Sequence, residues 1–170
     1  MEDHFSLPPK DIWIDYTSEV SASIDRVYGL LSDISGWPSW APGLIATRKY
    51  KRGLATPGSF FLMTLKVPVI GRIYLPNFVY HNRREHIEWG GGFLGSVIRH
   101  SFELEAVSDN VTRVRHLEYS TGLLCLIAKP MANFAHRHDM RWSGKIEEIF
   151  GVAANTPDHM VQPTSLPGRS

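Results

Sequence analysis

The stretch Val20–Pro42, VSASIDRVYGLLSDISGWPSWAP, decides the fold. Ser23 is a favourable N-cap residue, and Asp25 follows in the first turn, where the helix dipole favours a carboxylate. Val27, Leu30, Leu31 and Ile34 recur at i, i+3, i+4 and i+7, the spacing of one apolar helix face. The pattern predicts a helix over Ile24–Ile34 with a single greasy stripe. Such a helix is too short to be stable alone and must lie on a sheet. Gly36, Trp37, Pro38, Trp40 and Pro42 then break it, with a second short helical turn expected near Trp37–Trp40. The two tryptophans are expected at a rim, as at the entrance to a cavity.

Working outward, Asp11–Val20 alternates Ile12, Ile14, Tyr16, Ser18 and Val20 against Trp13, Asp15, Thr17 and Glu19, the pattern of a half-buried strand. Strands are predicted over Gly43–Lys51, Ser59–Val67, Arg72–Asn82, Arg84–Gly90, Ser96–Val107 and Thr112–Leu123. Arg52–Gly58 and Ser108–Asn110 read as turns, and the glycines at 90, 91, 92 and 95 as a loose hairpin. Pro76 implies a bulge or an edge in its strand. From about Leu126 the period becomes helical: Ile127, Met131, Phe134, His138, Trp142, Lys145 and Ile149 share a stripe. Pro130 fits its first turn and Gly151 stops it.

An unbroken run of strands followed by one long helix predicts an α+β domain. Its form is a curved antiparallel sheet of six to seven strands around the C-terminal helix, with a pocket between them. Residues 1–10 are expected to be an extension, 11–151 the domain, and 152–170, rich in proline and without periodicity, a disordered tail.

At 170 residues the chain supports one domain with a real core. A net charge of +1 gives no footprint for nucleic acid, and no Lys/Arg run marks a membrane surface. The lone cysteine, Cys125, excludes an intramolecular disulfide and a Cys-rich zinc site; in its apolar run it reads as a small buried hydrophobe. The acidic, polar N-terminus is unlike a signal peptide, and no apolar run approaches the roughly 20 residues of a membrane span. A soluble cytoplasmic protein, monomeric or homodimeric, is expected.

The opening segment resembles the signature of the START-like, Bet v 1-like (SRPBCC) superfamily, most of all its polyketide cyclase/dehydrase branch. Val20, Val27, Leu31, Asp33, Trp37 and Trp40 fall where that pattern wants a strand end, a helix core, an acidic helix terminus and aromatics. His86-Ile87-Glu88-Trp89 before the glycines is similar to the family's central strand. His100–Leu104 and Thr112–Gly122 are similar to its last hairpin. The likeness spans about residues 12 to 150 and implies a helix-grip fold. The family includes cyclases, dehydratases, lipid carriers and hormone receptors, so the likeness specifies fold better than activity.

Strand phase selects the residues that carry chemistry. Ile98, His100, Phe102, Leu104 and Ala106 share one face; Val114, His116, Glu118 and Ser120 share another. If Val114 faces inward, His116 and Glu118 do too, near His100. A carboxylate beside imidazoles in a dry pocket orients a tautomer and suits a general base. His100, His116 and Glu118 are therefore the candidate catalytic residues. Candidate ligand contacts are Trp37, Trp40, Phe61, Met63, Tyr80, Phe102, Met131, Phe134, His138 and Arg141. Tyr74, Asn77, Tyr80 and His81 lie on a strand whose inward phase the pattern leaves open. Each has a plainer alternative: core packing for the apolar residues and His100, solvent for Arg141, the outer arginines for Glu118. No HExxH or other metal-ligand spacing occurs, and the glycines precede no helix, so no phosphate loop is expected.

Two functions follow. In one, the pocket folds a polyketide-like or other carbonyl compound for cyclisation or dehydration without a cofactor, by proton transfer or by conformer selection alone. In the other, the protein carries or senses a lipid or aromatic metabolite, and the polar residues anchor one end. A third, an interaction module acting through the tail, has no charge patch to support it.

Overall fold

The computed structural model describes residues 11–49, 55–67, 71–93, 96–121 and 129–153, with only the backbone described at 11, 13, 49, 67, 93, 96, 121 and 129–139. Seven strands form one antiparallel sheet: β1 (Asp11–Val20), β2 (Leu44–Lys49), β3 (Phe60–Val67), β4 (Gly71–Arg83), β5 (His86–Phe93), β6 (Ser96–Ser108) and β7 (Val111–Thr121). Their spatial order is β1-β7-β6-β5-β4-β3-β2, a meander from β2 to β7 with β1 added beside β7. Helix α1 (Ile24–Ser32) and a 3-10 turn at Trp37–Ser39 follow β1, and helix α2 (Lys129–Phe150) ends the fold. This is the expected helix-grip architecture. Among the described residues, no helix is long and apolar enough to cross a membrane.

Helix α1 buries Ile24, Val27 and Leu31, as its stripe requires. Ser23 occupies the N-cap with extended backbone, but its side chain makes no capping hydrogen bond. The helix is held by its buried face and by the Arg84–Asp25 ion pair. Pro76 pairs with Leu62 of β3, whereas the β4–β5 register begins only at Phe78↔Gly90. The proline thus sits where its missing N–H disturbs no β5 ladder.

Two features correct the sequence reading. Gly90, Gly91 and Gly92 are not a hairpin but part of β5. Gly90 pairs with Arg99 and Gly91 with Ile98. A Cβ on Gly90 would lie 2.1 Å from the Ile98 carbonyl oxygen, and one on Gly91 2.1 Å from that of Pro76. The backbones approach so closely that only glycine fits. Second, Trp37 is not at a rim. It is fully buried, donates from Nε1 to the Leu31 carbonyl at 2.9 Å, and centres an aromatic cluster. Its ring lies 4.7 Å from Trp89, 5.6 Å from Trp142 and, edge-on, 5.8 Å from Phe61. Trp40 is half-buried and packs edge-on against Trp142 at 5.5 Å.

Gly151 ends α2 with φ of 76°, and the chain then returns to β1. Val152 bridges Val20, and the Ala153 amide donates to the Glu19 carbonyl at 2.9 Å. Residues 152 and 153, read from sequence as the start of a tail, therefore belong to the folded body. Residues 1–10 and 154–170, Cys125 and Gly95 lie outside the described residues.

Candidate functional site

The alternation of β6 and β7 puts His100, His116 and Glu118 on the inner face of the sheet. Register builds two rungs across the inner face. One runs Trp89, His100, Glu118, Ile14; the other runs Ile87, Phe102, His116, Tyr16. Each rung mixes one or two polar groups with aromatic or aliphatic neighbours. In the first, His100 Nε2 lies 3.9 Å from Glu118 Oε1, with Glu118 2% exposed and the histidine side chain 20% exposed. The Trp89 ring lies parallel to that of His100, with centroids 5.4 Å apart. This pair is the inward-facing carboxylate and imidazole that strand phase predicts.

His116 is equally buried but differently used. Its Nδ1 shares a 2.9 Å hydrogen bond with Ser143 Oγ of α2, and its ring stacks on Phe102 at 4.3 Å. Beside it, the Tyr16 hydroxyl donates to Glu147 Oε1 at 2.7 Å. Burial first, then the carboxylate it faces, pushes the Tyr16 pKa above its ordinary value, so the phenol stays a donor. These two bonds clamp α2 to β7 and β1.

Successive contacts, Val152 to Val20, Glu147 to Tyr16 and Ser143 to His116, step back along α2 as they step along β1 and β7. The rung that holds the His100–Glu118 pair meets α2 at Trp142, whose ring lies 6.2 Å from that of Trp89. The side chains of the candidates Met131, Phe134 and His138 lie outside the described residues. Among the described residues, the indole N–H groups of Trp89 and Trp40 are buried without a hydrogen-bond partner. Trp89 Nε1 is thus a dry donor beside His100.

Other candidates separate. Phe61, Met63 and Phe102 face inward but are core residues, 1%, 5% and 0% exposed. Arg141 is exposed on α2 rather than turned to the interior. Tyr80 points away from the interior. A register irregularity between Val79 and His81 reverses the phase of β4, and Tyr80 lies under the Arg99 guanidinium, 3.8 Å from ring centroid to Cζ. Asn77 and Val79 take the inward positions and are buried, whereas Tyr74 is exposed.

The outer face holds a second polar cluster that the sequence reading misses. Glu88 is 4% exposed although it alternates with inward Ile87 and Trp89. Its Oε1 accepts from Arg99 Nη1 at 2.8 Å and from the Tyr119 hydroxyl at 2.7 Å. Its Oε2 lies 3.5 Å from His81 Nε2 and 3.8 Å from His86 Nε2. Burial alone would raise the Glu88 carboxyl, but the Arg99 and Tyr119 hydrogen bonds outweigh it and hold it below the ordinary value. Burial, then its bond to Glu88, pushes Tyr119 up to about 12. Burial lowers the His86 pKa. The available signal was HIEW itself, where adjacent residues of opposite phase are both large and one is charged.

The solved structures agree with this fold. A START superfamily protein from Mycobacterium smegmatis superposes with a TM-score of 0.61 at 17% identity, over 80% of this chain and 97% of that one. The Zhui aromatase/cyclase from Streptomyces sp. R1128 superposes at 0.64 and 12% identity, over 83% and 93%. Norcoclaurine synthase from Thalictrum flavum, solved with dopamine and hydroxybenzaldehyde, superposes at 0.59 and 17% identity, over 83% and 86%. At such identities the likeness is one of fold. No family model matches the sequence, and no curated protein matches it. The chain has the START/Bet v 1-like helix-grip fold, with a buried imidazole–carboxylate pair on its inner face.

Proposed function

We propose that the protein binds a small, largely apolar carbonyl compound between the sheet and α2, and catalyses its cyclisation or dehydration without a cofactor. The observation that carries this reading is the His100–Glu118 pair, buried against the Trp89 ring. His100 takes a proton from the carbon beside the substrate carbonyl. Glu118 fixes the ring and stabilises the imidazolium that forms. The buried Trp89 N–H supplies a hydrogen bond to the enolate oxygen as charge develops there. In a dehydration the same imidazolium returns its proton to the departing hydroxyl, which leaves as water. His116, held by Ser143, positions α2 over the pair.

The test measures turnover and binding separately, using a panel of aromatic and aliphatic poly-β-ketones. Quenching of the core tryptophans reports binding. His100→Ala and Glu118→Gln are expected to lower kcat by about 10²–10⁴-fold while Kd stays within a few-fold. Binding without turnover by the wild type would replace catalysis with carriage. Wild-type rates in both variants would overturn the site.

A further inference from the structure

We propose that His81, His86 and Glu88 form a three-ligand site for a divalent transition-metal ion of the zinc class, on the sheet face turned away from α2. The three ligand atoms, two imidazole nitrogens and a carboxylate oxygen, all lie within 4.8 Å of one another. Two imidazoles and one carboxylate make a recognised donor set for Zn²⁺, leaving a fourth position open. Tetrahedral zinc at its usual bond lengths separates its ligand atoms by about 3.4 Å. The distances from Glu88 Oε2 to the two imidazoles, 3.5 and 3.8 Å, already approach that edge, and the imidazole–imidazole edge, within 4.8 Å, closes by rotation of the two half-exposed rings.

What distinguishes this cluster from a chance grouping is the division of labour on Glu88. Arg99 and Tyr119 both bond Oε1, which fixes the carboxylate plane and leaves Oε2 to the histidines. Outer partners of this kind orient a ligand. Arg99 is itself packed on the Tyr80 ring, so its charge is directed to Oε1. The two imidazoles lie face to face, 4.7 Å apart at 25°, and turn their Nε2 atoms to the same oxygen. His86 Nε2 also shares a 2.9 Å hydrogen bond with Ser101 Oγ, a bond that metal binding would exchange. The histidine side chains are 43% and 34% exposed, against 6% for Glu88. The site thus has a buried carboxylate floor, its charge shared with Arg99, and an open mouth. The ligands flank the Arg84–Glu85 turn of the β4–β5 hairpin, so bound metal would staple that hairpin.

Zn²⁺ binding by calorimetry, and Co²⁺ binding by its visible absorption, test this on the full chain. One equivalent is expected to bind, with tetrahedral or five-coordinate cobalt bands. His81→Ala and His86→Ala are each expected to weaken binding by at least about tenfold, and Tyr119→Phe by several-fold. His100→Ala should leave it unchanged, which separates this site from an interior one. His81 is half-exposed, so its replacement leaves the fold intact even if Glu88→Gln does not. The chain has eight histidines. Binding that survives both His81→Ala and His86→Ala, or no saturable one-to-one binding, would overturn the proposal.

Discussion

His116 shows how one buried polar side chain serves attachment. Only 2% exposed, it pairs with Ser143 across the sheet–helix boundary and stacks on Phe102. Removing His116 leaves the Ser143 hydroxyl without this bond in a dry site, at a cost of about 1–3 kcal/mol. His116→Ala should therefore lower the urea midpoint, with further loss from the vacated ring. His116→Ala and Ser143→Ala together should cost less than the sum of the two alone, because both changes remove the same bond. Strict additivity in equilibrium unfolding would remove the clamp from the account. His100 contrasts with it. Its ring also has an aromatic neighbour, but its partner is a buried carboxylate on the sheet itself, so His100→Ala should also lower stability, without loosening α2.

Strand β5 illustrates what an element requires of its sequence. Gly90→Ala would press a methyl into the Ile98 carbonyl, forcing β5 and β6 apart. Unfolding is expected to become easier by more than the roughly 0.5–1 kcal/mol that glycine ordinarily concedes to alanine in a strand, and in the opposite direction. Chemical denaturation of Gly90→Ala beside Gly144→Ala, where an added Cβ meets nothing within 4 Å, checks this; a stabilised Gly90→Ala would contradict the close approach. The same strand marks where sequence was legible and where it was not. The inward set His100, Phe102, His116 and Glu118 was readable because β6 and β7 alternate without interruption through those residues. The phase of β4 was not, because the irregularity after Val79 exchanges its faces. Glycines in a row read as punctuation because local propensity knows nothing of a neighbouring backbone. Trp37 read as a rim residue for the same reason. Its glycine and proline neighbours do make a turn, but that turn folds inward, and only the packed Trp89, Trp142 and Phe61 reveal it.

At the scale of the molecule, the outer face of β1, β7 and β6 is laced by two ionic ladders. Arg115 joins Asp15 and Glu103, and Arg113 joins Glu19 and Glu105. The Arg115 hydrogen bond, outweighing burial, holds the Asp15 carboxyl below its ordinary 3.8. A depressed carboxyl contributes stability that is fully present above that value and is lost as pH falls through the lowered one. Both partners are over one-third exposed, so water screens the pair and its worth is about 0.2–1 kcal/mol. Asp15→Asn should therefore be less stable than the wild type near neutral pH, and the gap in urea midpoint should close as pH falls through the lowered Asp15 value. A gap that persists in acid would assign the loss to packing instead. The return of the chain after α2 acts at this scale too. β1 lies at one end of an open seven-stranded row, with backbone groups that a second molecule's strand would pair with. Gly151, Val152 and Ala153 take up part of that row through Ser21, Val20 and Glu19. Three residues that finish a helix thereby act as a guard rail against sheet-to-sheet polymerisation, a protection that concerns solubility and leaves the interior untouched.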